Sequence, residues 1–180
     1  MKWLIASDIH GSAMYCSQLL SEFEKQKCDR LLLLGDILYH GPRNDLPPEY
    51  APKAVTEMLN RYADSIFCVR GNCEAEVDQM MLAFPVMADY ALIEVCGRML
   101  FATHGHIFNE QKMPPLAKGD ILIHGHTHIP KSTLCGDVYV LNPGSVSIPK
   151  EQSPHSYMTL CGNTFVWHEL GGDEYKRLEI

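Results

Sequence analysis

The chain has 180 residues and a formal net charge of −7, with 46% hydrophobic and 21% charged residues. We expect one domain, residues 1–180, because this length is sufficient for a real hydrophobic core. The negative charge argues against a broad surface for binding the nucleic-acid backbone.

The first predicted element is a buried strand from Lys2 to Ser7, which begins directly after Met1. This start leaves no room for a cleavable signal peptide. No apolar run approaches the roughly 20 residues that a membrane span needs. The seven cysteines are odd in number and include no C-x-x-C pair, which is typical of a reducing compartment. We therefore expect a cytoplasmic protein that does not bind a membrane.

The rest of the first half alternates predicted helices and strands. A helix from Ser12 to Lys27 precedes a buried strand from Leu31 to Leu34. Residues 39 to 52 contain four prolines and are predicted to form an irregular loop. The last of these prolines, Pro52, is well placed to open a second helix. A third strand is predicted from Ile66 to Val69.

The second half is rich in predicted strands. Residues 90–95 and 99–103 form a predicted hairpin, and Ile121 to Ile123 a further buried strand. Two more hairpins are predicted to turn at Gly136-Asp137 and at Gly162-Asn163. An α/β first half followed by this pattern indicates an α/β fold with two facing sheets flanked by helices.

Short polar motifs follow most of the predicted strands. In open α/β sheets, sites form beyond the carboxyl ends of the strands, so these motifs are expected to converge on one rim. Each includes or adjoins a glycine, which lets the backbone turn sharply. The motifs are Asp8-Ile9-His10, Gly35-Asp36, Gly71-Asn72, His104-Gly105-His106 and Gly125-His126-Thr127-His128.

The residue types in these motifs indicate a metal centre. Carboxylate, imidazole and amide oxygen without thiolate favour divalent ions such as Mn²⁺, Fe²⁺ or Zn²⁺. Seven ligands are too many for one tetrahedral zinc ion but suit two ions that share a carboxylate. We expect two divalent ions, with Mn²⁺ first and Fe²⁺, Zn²⁺ or Ni²⁺ as alternatives.

The ordered motifs resemble the calcineurin-like metallophosphoesterase superfamily, whose signature runs D-x-H, G-D, G-N-[HC]-[DE], a histidine and G-H-x-H. The match extends across nearly the whole chain. Residues 35–44 and 142–147 are similar to the small bacterial YfcE-type phosphodiesterases. The resemblance implies a four-layer α/β/β/α sandwich of two facing mixed sheets.

The resemblance also implies the metal ligands. The first ion would be held by Asp8, His10, Asp36 and His128. The second would be held by Asp36, Asn72, His104 and His126, with Asp36 bridging. We expect a dinuclear metal-dependent phosphodiesterase that cleaves a small-molecule substrate by attack of a metal-bridging hydroxide.

Asn72, Cys73 and His104 are the predicted catalytic residues, and Arg43 and His40 are predicted to bind substrate. Many superfamily members have histidine at the position of Cys73, where it is thought to protonate the leaving group. A thiol with a pKa of about 8.5 is a poorer acid, so we expect substrates with good leaving groups. His40 or a water is the alternative proton donor.

Several predictions carry alternatives. Glu74 is predicted to cap the short helix after the third strand, His106 is predicted to line the site, and residues 142–147 form either a turn lining the site or a structural corner. The activity alternatives are a phosphomonoesterase or nucleotidase. The alternative of another class is a non-catalytic protein-assembly scaffold with the same fold. The sequence leaves a homo-oligomer open.

Overall fold

A computed structural model describes all residues from Met1 to Ile180. It contains three α-helices, eleven strands and one 3₁₀ turn at Ala63–Ser65. The helices are α1 (Ala13–Lys25), α2 (Pro52–Asn60) and α3 (Glu76–Met81). The strands are β1 (Lys2–Ala6), β2 (Arg30–Leu33), β3 (Ile66–Cys68), β4 (Tyr90–Val95), β5 (Arg98–Thr103), β6 (Ile121–Ile123), β7 (Lys131–Cys135), β8 (Val138–Asn142), β9 (Ser156–Cys161), β10 (Thr164–Glu169) and β11 (Glu174–Glu179).

The strands form two mixed sheets. The six-stranded sheet has the order β11-β10-β9-β1-β2-β3, and β1, β2 and β3 are parallel to one another. The five-stranded sheet has the order β4-β5-β6-β8-β7, and β5, β6 and β8 are parallel. The parallel strands occupy the interior of both sheets except for β3 at one edge. Their carboxyl ends therefore provide the positions from which a site can be built.

The two sheets face each other across a shared apolar core. Ile5 in β1 and Leu34 directly after β2, from the six-stranded sheet, pack in one buried cluster with Leu100 in β5 and Ile123 in β6, from the five-stranded sheet. Trp167 is fully buried in the same cluster, and its indole Nε1 donates to the Asn142 carbonyl at 2.7 Å. Burial on both faces explains why the central strands are continuous apolar runs.

The outer faces of the sheets are covered differently. Helices α1 and α2 pack on the six-stranded sheet, where Leu19 and Val55 lie in the same core cluster as Leu4 and Leu33. The five-stranded sheet is covered by an irregular segment, from which Phe108, Met113 and Leu116 pack against Phe101 and Leu122. This segment has two adjacent prolines, Pro114-Pro115, and they prevent a helix from forming there. The predicted α/β fold of two facing mixed sheets is confirmed.

Most helix and strand positions agree with the sequence predictions. Ser12 caps α1, since its Oγ accepts from the Tyr15 N–H at 3.4 Å, and Pro52 occupies the first turn of α2. The sequence gives no signal for β11, because this strand is polar and exposed along most of its length. No helix has the length and apolarity needed to cross a membrane.

Candidate metal centre

The structure brings all seven predicted metal ligands to one rim of the two sheets. Asp8 and His10 follow β1, and Asp36 follows β2. Asn72 follows β3, His104 follows β5, and the two remaining histidines follow β6. Three of these strands belong to one sheet and two to the other, so the site spans the edge where the sheets meet.

Five of the seven side chains are carried by residues with left-handed backbone conformations. Non-glycine residues rarely adopt positive φ, and such residues cluster at functional sites. Here the conformation reverses the chain immediately after a strand and directs successive side chains to a common point. The residues and their φ values are Asp8 (60°), His10 (49°), Asp36 (55°), His126 (65°) and His128 (62°).

Three of the side chains form a first, fully buried group. Asp8 Oδ1 lies 3.3 Å from His128 Nε2 and 3.6 Å from His10 Nε2. The two Nε2 atoms are themselves 3.4 Å apart. All three residues are at most 3% exposed, so water has little access to these atoms.

A second group lies beside the first. His104 Nε2 lies 3.1 Å from Asn72 Oδ1 and 3.2 Å from His126 Nδ1. It also lies 3.4 Å from Asp36 Oδ2. The same Asp36 oxygen is 3.7 Å from His10 Nε2 in the first group. Asp36 therefore links the two groups through one oxygen atom.

The hydrogen bonds of the imidazoles show that the centre fits a cation. His10, His104 and His128 each place Nδ1 within 2.6–2.8 Å of a backbone carbonyl, which only accepts hydrogen bonds. Each Nδ1 therefore carries the proton, and in the neutral ring each Nε2 presents a lone pair. Asp8 Oδ1 is also buried without a hydrogen-bond donor. Divalent ions bound among these lone pairs would satisfy atoms that have no donor within the protein.

At this centre, protons and a cation would compete for the same imidazole and carboxylate lone pairs. Burial lowers the pKa of His104, but hydrogen bonding to Asp36 and the charge of Asp8 outweigh it and raise the pKa to about 9. Burial raises the pKa of Asp8, but the neighbouring His10 and His128 hold it well below its usual range. Burial and the charge of His104 lower the pKa of His126 to about 4. The buried carboxylates thus attract positive charge strongly.

The prediction that Glu74 caps α3 is wrong. The first turn of α3 is closed instead by the Asp78 carboxylate accepting from the Ala75 N–H at 2.8 Å. The buried Glu74 carboxylate accepts from the backbone N–H groups of Asp36, Ile37 and Gly71. Burial and the charge of Asp36 raise its pKa. Glu74 thereby ties the loop after β2 to the loop after β3.

The segment from Asn142 to Ser147 is a structural corner that holds the backbone of the centre in place. Ser145 Oγ and Ser147 Oγ donate to the Asp8 carbonyl at 2.9 and 3.0 Å. Asn142 Nδ2 donates to the Gly125 carbonyl at 2.8 Å. All three side chains are buried, so they position the chain around Asp8 and Gly125 rather than face the solvent.

A polar cavity of about 400 Å³ opens above the two groups. Arg43 lies in its wall, as the sequence analysis predicts for a substrate-binding residue. His40 does not line this cavity, and its ring lies between those of Tyr39 and Tyr50. The cavity wall also contains Asn44 and Thr127, which stand within the sequence motifs but had no predicted role, and Lys150, which stands in no motif.

Cys73 lies in the cavity wall next to Asn72, whose Nδ2 is 3.3 Å from the sulfur. The Cys73 N–H donates to Asp36 Oδ1 at 2.9 Å, so its backbone helps to orient the linking carboxylate. Burial and the charge of Asp36 raise the pKa of the thiol well above its usual range. Near the centre, His106 is partly buried, with its ring centroid 5.4 Å from that of His104.

Comparisons with known proteins agree with this geometry. The profile of the calcineurin-like phosphoesterase superfamily domain matches residues 1–164. The chain is 47% identical over 157 residues to phosphodiesterase YfcE of Escherichia coli K12, covering 87% of this chain and 85% of the relative. A solved structure of the E. coli phosphoesterase YfcE matches with a TM-score of 0.97 at 42% identity, covering 100% of both chains. Vacuolar Protein Sorting 29 from Cryptosporidium parvum matches with a TM-score of 0.62 at 18% identity, covering 99% of this chain and 98% of that chain, and shows the fold alone.

The role of Glu74 predicts a stability difference between two isosteric substitutions. Glu74→Gln places an amide NH₂ against at least one of the three backbone N–H donors, which should lower the free energy of unfolding by roughly 1–3 kcal/mol. Glu76→Gln removes the same charge from an exposed position of α3 and should change it by less than about 0.5 kcal/mol. Urea denaturation of both variants measures the difference, and equal stability would rule out the proposed tie between the two loops.

A second prediction concerns the close contact at Gly71. A Cβ atom there would lie 2.2 Å from Asp36 Oδ1 and 2.5 Å from the Asp36 backbone nitrogen. Gly71→Ala should therefore displace Asp36 and reduce the amount of Mn²⁺ retained after dialysis, measured by plasma emission spectroscopy. Gly136→Ala is the control, since its Cβ meets no atom within 4 Å and the backbone strain at its φ of 60° falls in the β7–β8 turn, at the end of the sheet opposite the rim. Wild-type metal retention in the Gly71 variant would contradict the contact.

Proposed function

Since the chain belongs to the calcineurin-like phosphoesterase superfamily, we propose that it is a metal-dependent phosphodiesterase acting through one domain, residues 1–180. The observation that carries the proposal is the shared Asp36 Oδ2, which lies within 3.4–3.7 Å of an imidazole nitrogen in each of the two ligand groups. A single oxygen between two sets of potential ligand atoms suits two divalent ions that share a carboxylate.

The proposed ligand sets follow the two groups in the structure. The first ion takes Asp8, His10, His128 and Asp36, and the second takes Asp36, Asn72, His104 and His126. The donor set is oxygen and imidazole nitrogen, which suits Mn²⁺, with Fe²⁺, Zn²⁺ or Ni²⁺ as alternatives. When bound, the ions would supply a hydroxide nucleophile by lowering the pKa of a shared water from about 15.7 toward 7.

The chain's own residues would bind and orient the phosphate. Arg43 and Lys150 are the two cationic side chains in the wall of the polar cavity. Arg43 is suited to two parallel hydrogen bonds with phosphate oxygens, whereas Lys150 supplies a compact charge. The Asn72 amide is exposed at the cavity and would donate to a further phosphate oxygen. These groups compensate for the net charge of −7 at the one place where an anion binds.

The proposed substrate is a small-molecule phosphodiester with a good leaving group. Cys73 occupies the wall of the cavity, but a thiol with a strongly raised pKa is a very weak acid. His40 does not line the cavity, and its ring packs against those of Tyr39 and Tyr50. A leaving group that departs without protonation fits these surroundings best. Phosphomonoester hydrolysis is the close variant, and we place the activity in the cytoplasm.

Chelation should abolish the activity. Protein treated with EDTA and dialysed should lose hydrolysis of bis(4-nitrophenyl) phosphate, measured as release of 4-nitrophenolate, and added Mn²⁺ should restore it. Metal content measured on the same samples separates empty protein from inactive protein. Protein that retains two ions per chain but hydrolyses neither phosphodiesters nor phosphomonoesters would instead favour a non-catalytic scaffold.

Asp36→Asn should weaken both ion positions at once. The amide keeps the shape but removes the negative charge that the two groups share, so the metal content should fall from about two ions per chain to fewer than one. Asp64→Asn, which removes an exposed charge just before β3, at the end of the parallel strands opposite the rim, should retain both ions. The measurement is metal content after dialysis. Two tightly held ions in Asp36→Asn would refute the bridging role.

A further inference from the structure

An apolar groove of about 450 Å³ lies beside the polar cavity. It runs between the loop after β2, the start of α2 and helix α3. Its walls are mainly aliphatic and aromatic, in contrast to the polar cavity above the two ligand groups. The apolar part of its wall includes Leu38, Tyr39, Tyr50, Val77 and Met81.

The groove is continuous with the candidate active site. Cys73 lines both the groove and the polar cavity, so one ligand could occupy the two spaces at the same time. The groove wall is also fixed to the centre through the backbone, because the Tyr39 carbonyl accepts from His10 Nδ1 at 2.8 Å. A group bound in the groove would therefore be held at a defined distance from a phosphate above Asp36.

The shape and charge of the groove select its occupant. Tyr39, Val77 and Met81 are 43%, 59% and 50% exposed, so their apolar surface is available to a ligand. Tyr39 lines the groove, and its ring is held by edge-to-face packing against the His40 ring, with centroids 4.7 Å apart. Lys53 and Asp78 also line the groove, and their opposite charges give it no net charge. These features favour a neutral, planar apolar group over a charged one.

We propose that the groove binds one ester group of the substrate, a neutral aromatic ring, while the phosphate lies in the polar cavity. The proposal rests on the proposed function and specifies its substrate class as aryl or arylalkyl phosphodiesters. Burial of about 60 Å² of ring surface at roughly 25 cal/mol per Å² corresponds to about a tenfold gain in affinity.

The test compares two non-hydrolysable ligands on the Mn²⁺-loaded protein. Benzylphosphonate replaces the ester oxygen of a phenyl ester with CH₂, and methylphosphonate is the same probe without the ring. Titration calorimetry should show that wild-type protein binds benzylphosphonate about tenfold more tightly. Met81→Asp places a charge in the groove at an exposed position and should reduce this ratio to about twofold or less. Because the added charge repels both probes, the ratio isolates the contribution of the ring.

Met80→Asp is the matched control. Met80 lies on the same helix and is 83% exposed, but it does not line the groove, so its variant should keep the tenfold ratio. A ratio near one in the wild type, or an unchanged ratio in Met81→Asp, would overturn the proposal. If light scattering shows that Met81→Asp dissociates an oligomer while the ratio is unchanged, the groove binds a second copy instead. If the same Mn²⁺-loaded protein does not hydrolyse bis(4-nitrophenyl) phosphate, the proposed function itself fails, whereas hydrolysis together with a wild-type ratio near one overturns only the groove proposal.

Discussion

The central constraint on this structure is the concentration of lone-pair atoms at one rim of the two sheets. Two carboxylates, an amide oxygen and four imidazoles meet there, with neighbouring oxygen and nitrogen atoms 3.1–3.7 Å apart. Backbone carbonyls take the Nδ1 protons of three imidazoles, so their Nε2 lone pairs face the carboxylate oxygens. Without cations, the carboxylates draw a proton onto His104, whose pKa is raised to about 9, whereas burial and the charge of His104 lower the pKa of His126. The fold around the rim serves to hold these atoms together.

The loops around the rim hold these atoms in place through backbone conformations and buried hydrogen-bonded groups that each cost free energy. Left-handed conformations at residues such as Asp8 and Asp36 are tolerated because neighbouring hydrogen bonds fix the loops. Glu74 ties the loops after β2 and β3, and Ser145 and Ser147 hold the Asp8 carbonyl from below. Burial and the nearby charge of Asp36 destabilise the ionised form of Glu74, so its pKa is raised. A rigid arrangement of this kind preorganises the ligands, so metal binding requires little rearrangement.

The sequence predicts the centre better than its surroundings. Asp8, His10 and the other ligand candidates stand in short motifs directly after apolar strands, and the carboxyl ends of such strands converge, so their proximity follows from general rules. Glu74 was misassigned because a carboxylate before a helix has the same appearance whether it caps that helix or reaches the preceding loop. Lys150 stands in no motif, and only the tertiary structure brings it to the cavity. The polar edge strand β11 has no apolar alternation to reveal it.

Anomalous diffraction from crystals grown with Mn²⁺ tests the shared-carboxylate centre most directly, because it locates the ions without reference to activity. Two ions that share Asp36 should give two peaks about 3.5–4 Å apart. One should lie next to Asp8 and His128, the other next to Asn72 and His126, and both should contact the Asp36 carboxylate. A single peak, or two peaks of which only one contacts Asp36, would contradict the shared-carboxylate centre.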